Sequence, residues 1–267
     1  MPAVQIHTVE SLNEYIEKLA ELQEGSSSSL WYRGCKDATW ELLPSLYRHK
    51  EIDSVAKAKD FEDRIRIHFN NRSLPFLADR PRTEWDTLFL MQHYGVPTRL
   101  LDWTENSLVS LFFSVMDCVK TESGRSFETD AAVWVLDPML WNQAVLASQS
   151  YEGGVLSTED DAVRTYSQLD DIPNMQTLPV CIFASHNSAR IVAQRGTFTV
   201  FGKGLEPMEK SFVSEKLPAA ALCKIKVRKS KIATLQRQLV NAGYTDSMLY
   251  PDLDGLAREI KRELGYS

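Results

Sequence analysis

Cysteine is scarce, with four in 267 residues at Cys35, Cys118, Cys181 and Cys223. No two form C-x-x-C, which excludes the common thiolate metal sites and dithiol redox motifs. Three of them lie in the apolar runs SVMDCV, PVCIF and AALCKI, the setting of reduced, buried thiols. Cys35, directly after Arg33-Gly34, is the one to test as reactive. H-E-x-x-H and His-x-His pairs are missing, so no metal is expected. The G-x-S-x-G nucleophile elbow is missing too, which leaves a serine triad unsupported. Neither G-x-x-x-x-G-K-[ST] nor a strand-borne G-x-G-x-x-G occurs, so GKG at 202–204 is not a phosphate loop. No apolar run approaches the roughly 20 residues of a membrane span. The start, MPAVQIHTVESLNEY, lacks the basic flank and apolar core of a secretory signal. The expectation is a cytoplasmic protein with no membrane partner. Positive charge is in deficit as well. A net charge of −6 argues against a dominant electrostatic grip on nucleic acid, though a local basic patch stays open.

Apolar residues make up 43% of the chain, enough for a large core. A chain of this length buries roughly three-quarters of its unfolded surface and needs no covalent staple. One domain over 1–267 is expected, with residues 1–29 an N-terminal helix and serine link. Leu12, Tyr15, Ile16, Leu19 and Leu22 recur at helical spacing and predict a helix from Thr8 to Glu24, capped by Thr8 or Ser11. Further helices are expected over Ser54 to Asn71, Thr83 to Tyr94, Glu105 to Lys120, Pro138 to Ala147, Ser230 to Asn241 and Leu253 to Leu264. Gly95-Val96-Pro97 ends the third of these seven. Strands are expected at LWYRG, AAVWVL, PVCIFA, GTFTVFG and AALCKIKV. They lack a regular βαβ alternation, so the fold class is α+β, a small central mixed sheet flanked by helices. Residues 148–178 are polar and weakly periodic and read as a long excursion or flap.

Groups capable of chemistry concentrate in the run from His93 to Thr104. His93 and Tyr94 can exchange protons or hydrogen-bond. Arg99 offers a rigid fork for phosphate or carboxylate. Asp102 can pair with Arg99 or accept from a hydroxyl, and Trp103 can stack on a planar ring. The same run sits between two predicted helices, so Asp102 or Thr104 could simply cap the second, with Arg99 neutralising Asp102. Arg33 is a second anchor. An Arg ending an apolar strand, beside a Gly that lets a ligand reach the backbone, suits a phosphate clamp; it equally suits a salt bridge at a strand end. His186, Arg190 and Gln194 recur every four residues, one helix face or a solvated turn. Lys224, Lys226, Arg228, Lys229 and Lys231 form a basic stripe, a solvated edge or a hold for nucleic-acid phosphates.

Four stretches resemble the FRG domain family, named for its F/Y-R-G motif. They are Tyr32-Arg33-Gly34, the run Gln92 to Thr104 (QHYGVPTRLLDWT), Arg190 to Phe198 (RIVAQRGTF) and Tyr250 to Leu256 (YPDLDGL). The resemblance implies a toxin or phage-defence effector and an ADP-ribosyltransferase-like fold that consumes NAD as substrate. In that comparison the strand-borne Arg33 holds the pyrophosphate or ribose. The segment Thr98 to Thr104 supports the nicotinamide side, and Gln194-Arg195-Gly196 lies near the third motif. A Glu usually stands in that third motif, where this chain has Gln194. The implied catalytic set is Arg33, His93, Arg99 and Asp102. The implied NAD-binding set is Tyr32, Arg33, Gly34, Tyr94, Thr98, Trp103 and Gln194, with no metal. The target would be RNA, DNA or protein, and an antitoxin protein would restrain the toxin. The alternatives are a non-enzymatic nucleotide- or partner-binding module and a metal-independent nuclease using His93 or His186.

Overall fold

A computed structural model describes residues 3–77, 79–122, 126–149, 151, 153–166, 175–183 and 189–266. Its strands are β1 (Gln5–Val9), β2 (Trp31–Cys35), β3 (Leu100–Thr104), β4 (Ala131–Leu136), β5 (Val180–Ile182), β6 (Gly196–Val200) and β7 (Leu222–Val227). They form a single mixed sheet in the order β1-β7-β4-β2-β3-β6-β5. Only β1 and β7 run parallel; every other neighbouring pair is antiparallel. The α+β expectation holds, and the sheet has two strands beyond the expected five. Among the described residues, no helix is long and apolar enough to cross a membrane.

The helices are α1 (Leu12–Glu24), α2 (Val55–Ser73), α3 (Glu84–His93), α4 (Ser107–Val115), α5 (Pro138–Val145), α6 (Ala189–Gln194), α7 (Met208–Ser214), α8 (Ile232–Asn241), α9 (Asp246–Leu249) and α10 (Leu253–Glu263). Their starts follow the capping rules. Ser11, Ser54, Thr83, Asn106, Asp137 and Asp252 each accept a first-turn backbone N–H. Thr83 and Asp86 complete a reciprocal capping box. At the far end of α3, Gly95 takes φ +73°. The Gly95 N–H bonds Gln92 O and the Val96 N–H bonds Met91 O, the paired bonds of a Schellman stop.

Helices cover both faces of the sheet. Val109, Phe112 and Val115 of α4, with Tyr15 of α1 and Leu235 of α8, pack on Tyr32, Val133, Val135 and Ile225. On the opposite face Trp31, Leu101, Trp103 and Trp134 meet Trp141 of α5, Met208 and Phe212 of α7, and the loop residues Leu42 and Leu46. A third cluster joins Leu100, Phe198, Val200 and Val180 to Trp85 and Phe89 of α3. Burial on both faces explains why β4 is apolar throughout.

Several expectations are corrected. Thr8 lies in β1, paired with Lys226, so the first helix begins at Leu12 with Ser11 as its cap. Asp102-Trp103-Thr104 is not a turn between helices but part of β3, and Asn106 caps α4. The stretch 148–178 is no free flap where it is described. Leu156 bridges to Ile182, and Leu156, Val163, Tyr166 and Met175 are buried. The lysine-bearing β7 is an interior strand rather than an edge. Lys224 lies over the Trp134 ring, Lys226 pairs with Asp130, and Arg228 and Lys231 pair with Glu10. These cations are thus paired within the fold rather than standing as a free edge stripe.

Candidate functional site: a cleft where β2 and β3 part

Strands β2 and β3 share one residue pair, Tyr32 with Thr104, and then separate. Beyond that pair the backbone groups of each strand need other partners. Arg33 supplies one, its Nη1 donating to the Asp102 carbonyl at 2.6 Å. The parting strands open a cleft of about 580 Å³. Tyr32, Arg33 and Gly34 border it from β2, Asp102 and Thr104 from β3, and Gly196 to Phe198 from β6. The end of α3 contributes Gln92 to Gly95, α6 contributes Arg190 and Gln194, and Tyr250 closes one side. All four stretches that carry the family resemblance therefore meet at one place.

Asp102 is the sole carboxylate lining this cleft among the described residues. Side chains alternate along β3, so Asp102 faces outward between buried Leu101 and Trp103. Its side chain is 57% exposed, and Arg33 Nη1 stands 3.7 Å from Oδ2. Gln92 Nε2 donates to Oδ2 at 2.7 Å. The buried Thr98 hydroxyl donates in turn to Gln92 Oε1. So Thr98, Gln92 and Arg33 together fix the orientation of one solvent-accessible carboxylate. An ion pair this exposed adds less than about 1 kcal/mol to stability, so stability does not account for the arrangement.

Strand β3 is tied to the third segment by Thr104. Its hydroxyl donates to Gln194 O at 2.5 Å and accepts from the Asn106 N–H. Gln194 Nε2 donates to Leu249 O at 3.0 Å, anchoring the chain next to Tyr250. Arg195 turns the backbone into β6 at φ +46°, a left-handed conformation uncommon outside glycine. Arg190 and Tyr250 border the cleft, and the Arg190 and Arg258 guanidiniums lie 4.7 Å and 4.8 Å from the Tyr250 ring. Tyr94, 67% exposed, meets His93 edge-on at 5.0 Å. The Tyr32 hydroxyl is pushed up to about 12, chiefly by burial, and so keeps its proton at neutral pH.

Burial first, and the Arg190 charge second, lower the His93 pKa below the ordinary 6.5. The imidazole is therefore neutral at pH 7. A base with a depressed folded pKa gives up stability as pH falls through 6.5 towards its folded value, and is fully compatible with the fold above 6.5. A histidine NMR titration should place His93 below 6.5, and Arg190→Ala should move it back upward. An unchanged midpoint in that variant would remove Arg190 from the cause.

Four expected site residues serve other purposes. Arg99 is fully buried. It donates to Glu62 Oε1 at 2.6 Å, Phe201 O at 2.8 Å and Tyr166 O at 2.6 Å. Burial works to discharge it, but Glu62 and its other neighbours outweigh that and hold its pKa above the ordinary value. It neither lines the cleft nor neutralises Asp102. Thr98 is buried and acts through Gln92. Trp103 borders the cleft, yet the residue is only 3% exposed and packs into the core of the opposite face, where Nε1 donates to Thr199 Oγ1 at 3.1 Å. It cannot stack on a ligand ring. Gly34 is small because α4 crosses β2 there: a Cβ would stand 2.0 Å from Ser110 O. The approaching group is a helix, not a ligand. Cys35 is buried, and burial raises its thiol pKa despite the nearby cations, the opposite of an activated cysteine. His186 lies outside the described residues. Gln92, Phe113 and Arg48 drew no individual notice in the sequence, and Gln92 could have been found as the residue one helical step before the Gly95 stop.

The FRG domain family model matches residues 28–123. Over that stretch the chain is similar to the FRG domain. That segment includes β2, β3 and the α3 terminus, hence the Arg33–Asp102–Gln92 arrangement, while β6 and Tyr250 close the cleft from outside the matched stretch. Neither the curated proteins nor the solved structures contain a match to the chain.

Proposed function

We propose that the FRG cleft binds NAD and that the protein is an ADP-ribosyltransferase acting as an intracellular toxin. The supporting observation is the pairing of Arg33 with Asp102 at the point where β2 and β3 part. A cation and an oriented carboxylate stand side by side in a cleft of about 580 Å³, within the usual range of ligand sites. The three segments that the ADP-ribosyltransferase resemblance requires lie on β2, β3 and β6 and border the same space.

The chemistry needs three things. Arg33 holds the pyrophosphate. An aromatic ring faces the nicotinamide, and Tyr94 takes that place because Trp103 is buried. Asp102 stabilises the positive charge that develops on the ribose. As the nicotinamide–ribose bond breaks, its electron pair leaves with nicotinamide, which becomes neutral. The acceptor's nucleophile bonds to the ribose carbon and loses its proton. Gln194 stands where a Glu is usual, and its amide carries no negative charge, so Asp102 is the acid of this site. Arg190 and Tyr250 bordering the cleft, with Arg258 against the Tyr250 ring, suit an acceptor bearing phosphates and bases, RNA or DNA before protein. Such a toxin, in a bacterial toxin–antitoxin pair or in phage defence, would be held in check by an antitoxin protein.

The test is incubation of the protein with labelled NAD and cell extract. Label transfer and NAD loss are expected. Asp102→Asn should cut the rate about 100-fold or more, with an unchanged melting temperature. Arg33→Ala should weaken NAD binding. If NAD is neither bound nor consumed, the reading is wrong. Gln194 favours one second reading, a non-enzymatic nucleotide-binding module; it would show NAD-induced thermal stabilisation without turnover. A metal-independent nuclease is less well served, since His93 is the one histidine lining the cleft among the described residues.

A further inference from the structure

A side pocket of about 240 Å³ adjoins the cleft and shares Arg33, Gln92, Gly95 and Asp102 with it. Ser45 and Arg48 form its other wall. Arg48 ends a 3-10 turn, Leu46–Arg48, and the turn is tied to the start of β3. The Leu46 N–H donates to Thr98 O at 3.1 Å, and the Thr98 N–H donates to Ser45 Oγ at 3.2 Å. The Arg48 guanidinium is itself positioned, because Nε and Nη2 both donate to Leu43 O, at 2.8 Å and 2.6 Å. That leaves Nη1 to meet a ligand. Two guanidiniums thus share a small pocket whose one acid is Asp102, and Asp102 already answers Arg33 and Gln92. Burial first and the Arg33 charge second lower the Arg48 pKa, while Cys35 and Asp102 act against them. The pocket holds one cation more than its carboxylate can balance.

We infer that Arg33 and Arg48 are the two arms of a receptor for a diphosphate group, Arg33 at its junction with the cleft and Arg48 on its outer wall. Forked donors suit tetrahedral phosphoryl oxygens, and charge-assisted bonds of this kind are the strong ones. Two forks match two linked phosphoryl groups better than one. The Ser45 hydroxyl, which accepts from Thr98, has its own proton to donate to the same anion. The inference deepens the NAD reading and rests on it for the ligand's identity, since a dinucleotide carries its diphosphate at its middle. The anion chemistry of the pocket stands separately.

Calorimetric titration of the full chain with inorganic pyrophosphate, at constant ionic strength, tests it. Binding to the parent is expected, with at least about ten-fold weaker affinity in Arg48→Ala, the loss of one hydrogen bond to a charged group. Should Arg48→Ala melt below the assay temperature, Arg48→Gln gives the same comparison; it removes the charge and keeps a donor for Leu43 O. NAD should weaken in parallel, while nicotinamide riboside, which lacks the diphosphate, should not change. Equal pyrophosphate affinity in parent and variant, or no binding to the parent, overturns the inference. Arg48-dependent pyrophosphate binding with no NAD binding upholds the pocket and refutes the NAD reading. NAD binding that ignores Arg48 does the reverse.

Discussion

Arg99→Ala is expected to cost about 3–5 kcal/mol of folding stability, measured by urea denaturation at neutral pH. The substitution leaves the Glu62 carboxylate, 10% exposed, without its counter-charge. It also takes the donor from two buried carbonyls, Phe201 O and Tyr166 O. Each loss is of the expensive kind, since a buried polar group without a partner carries its full desolvation cost. Against a typical total of about 5–15 kcal/mol, much of the native population is at risk. Arg99→Lys should recover little, because one ammonium cannot serve three acceptors fixed around a planar fork. Removing both charges, Arg99→Met with Glu62→Leu, should be milder than Arg99→Ala alone, because no unpaired charge is left in the core. If Arg99→Ala melts like the parent and instead loses ligand binding, the assignment of Arg99 to the scaffold is wrong.

Gly34→Ala is the second large effect, expected at about 3 kcal/mol, towards the upper end of overpacking costs. The added methyl would lie 2.0 Å from Ser110 O and 2.8 Å from Ser114 N, both backbone atoms of α4. No side-chain rotation relieves that. Either α4 lifts from the sheet or β2 shifts from its pairing with Val133. Ser110 and Ser114 are themselves small and buried, and they turn their hydroxyls back to Ser107 O and Leu111 O. Three small residues thus set how closely the central helix approaches the sheet. A shift of β2 also displaces Arg33, the next residue, so ligand affinity and stability should fall together. A variant that keeps the parent's denaturation midpoint but no longer binds would instead mean that Gly34 makes room for a ligand.

These two residues mark where the sequence can be read and where it cannot. The α3 stop at Gly95, the capping residues and the all-buried β4 follow from local rules, and their positions agree to within a few residues. The segments that line the cleft were legible as well, from the density of unlike functional groups between His93 and Thr104 and from the family resemblance. Their assignment inside those segments was not. A strand buried on one side and open to a cleft on the other alternates its side chains, and β3 is only Leu100–Thr104. Reading that stretch as a link between two helices hid the alternation that sends Asp102 outward and the Trp103 ring into the core. Arg48 stood in a run with no periodicity, and its value depends on a cavity made by β3 and the α3 terminus.

By itself, the sequence determined the chemical stock of the site: arginines, one acid in the run from His93 to Thr104, a glutamine at Gln194, and aromatic rings. It also determined the local elements, because caps, stops and apolar runs act over a few residues. The tertiary structure decided which arginine borders the cleft and which holds the core. Arg33 and Arg99 have the same side chain, and only packing separates them. Glu62 on α2 and two buried carbonyls enclose Arg99, whereas the parting of β2 from β3 leaves Arg33 beside Asp102 at the cleft. Burial and partnership set what a charge can do, and both arise from residues far away in the chain.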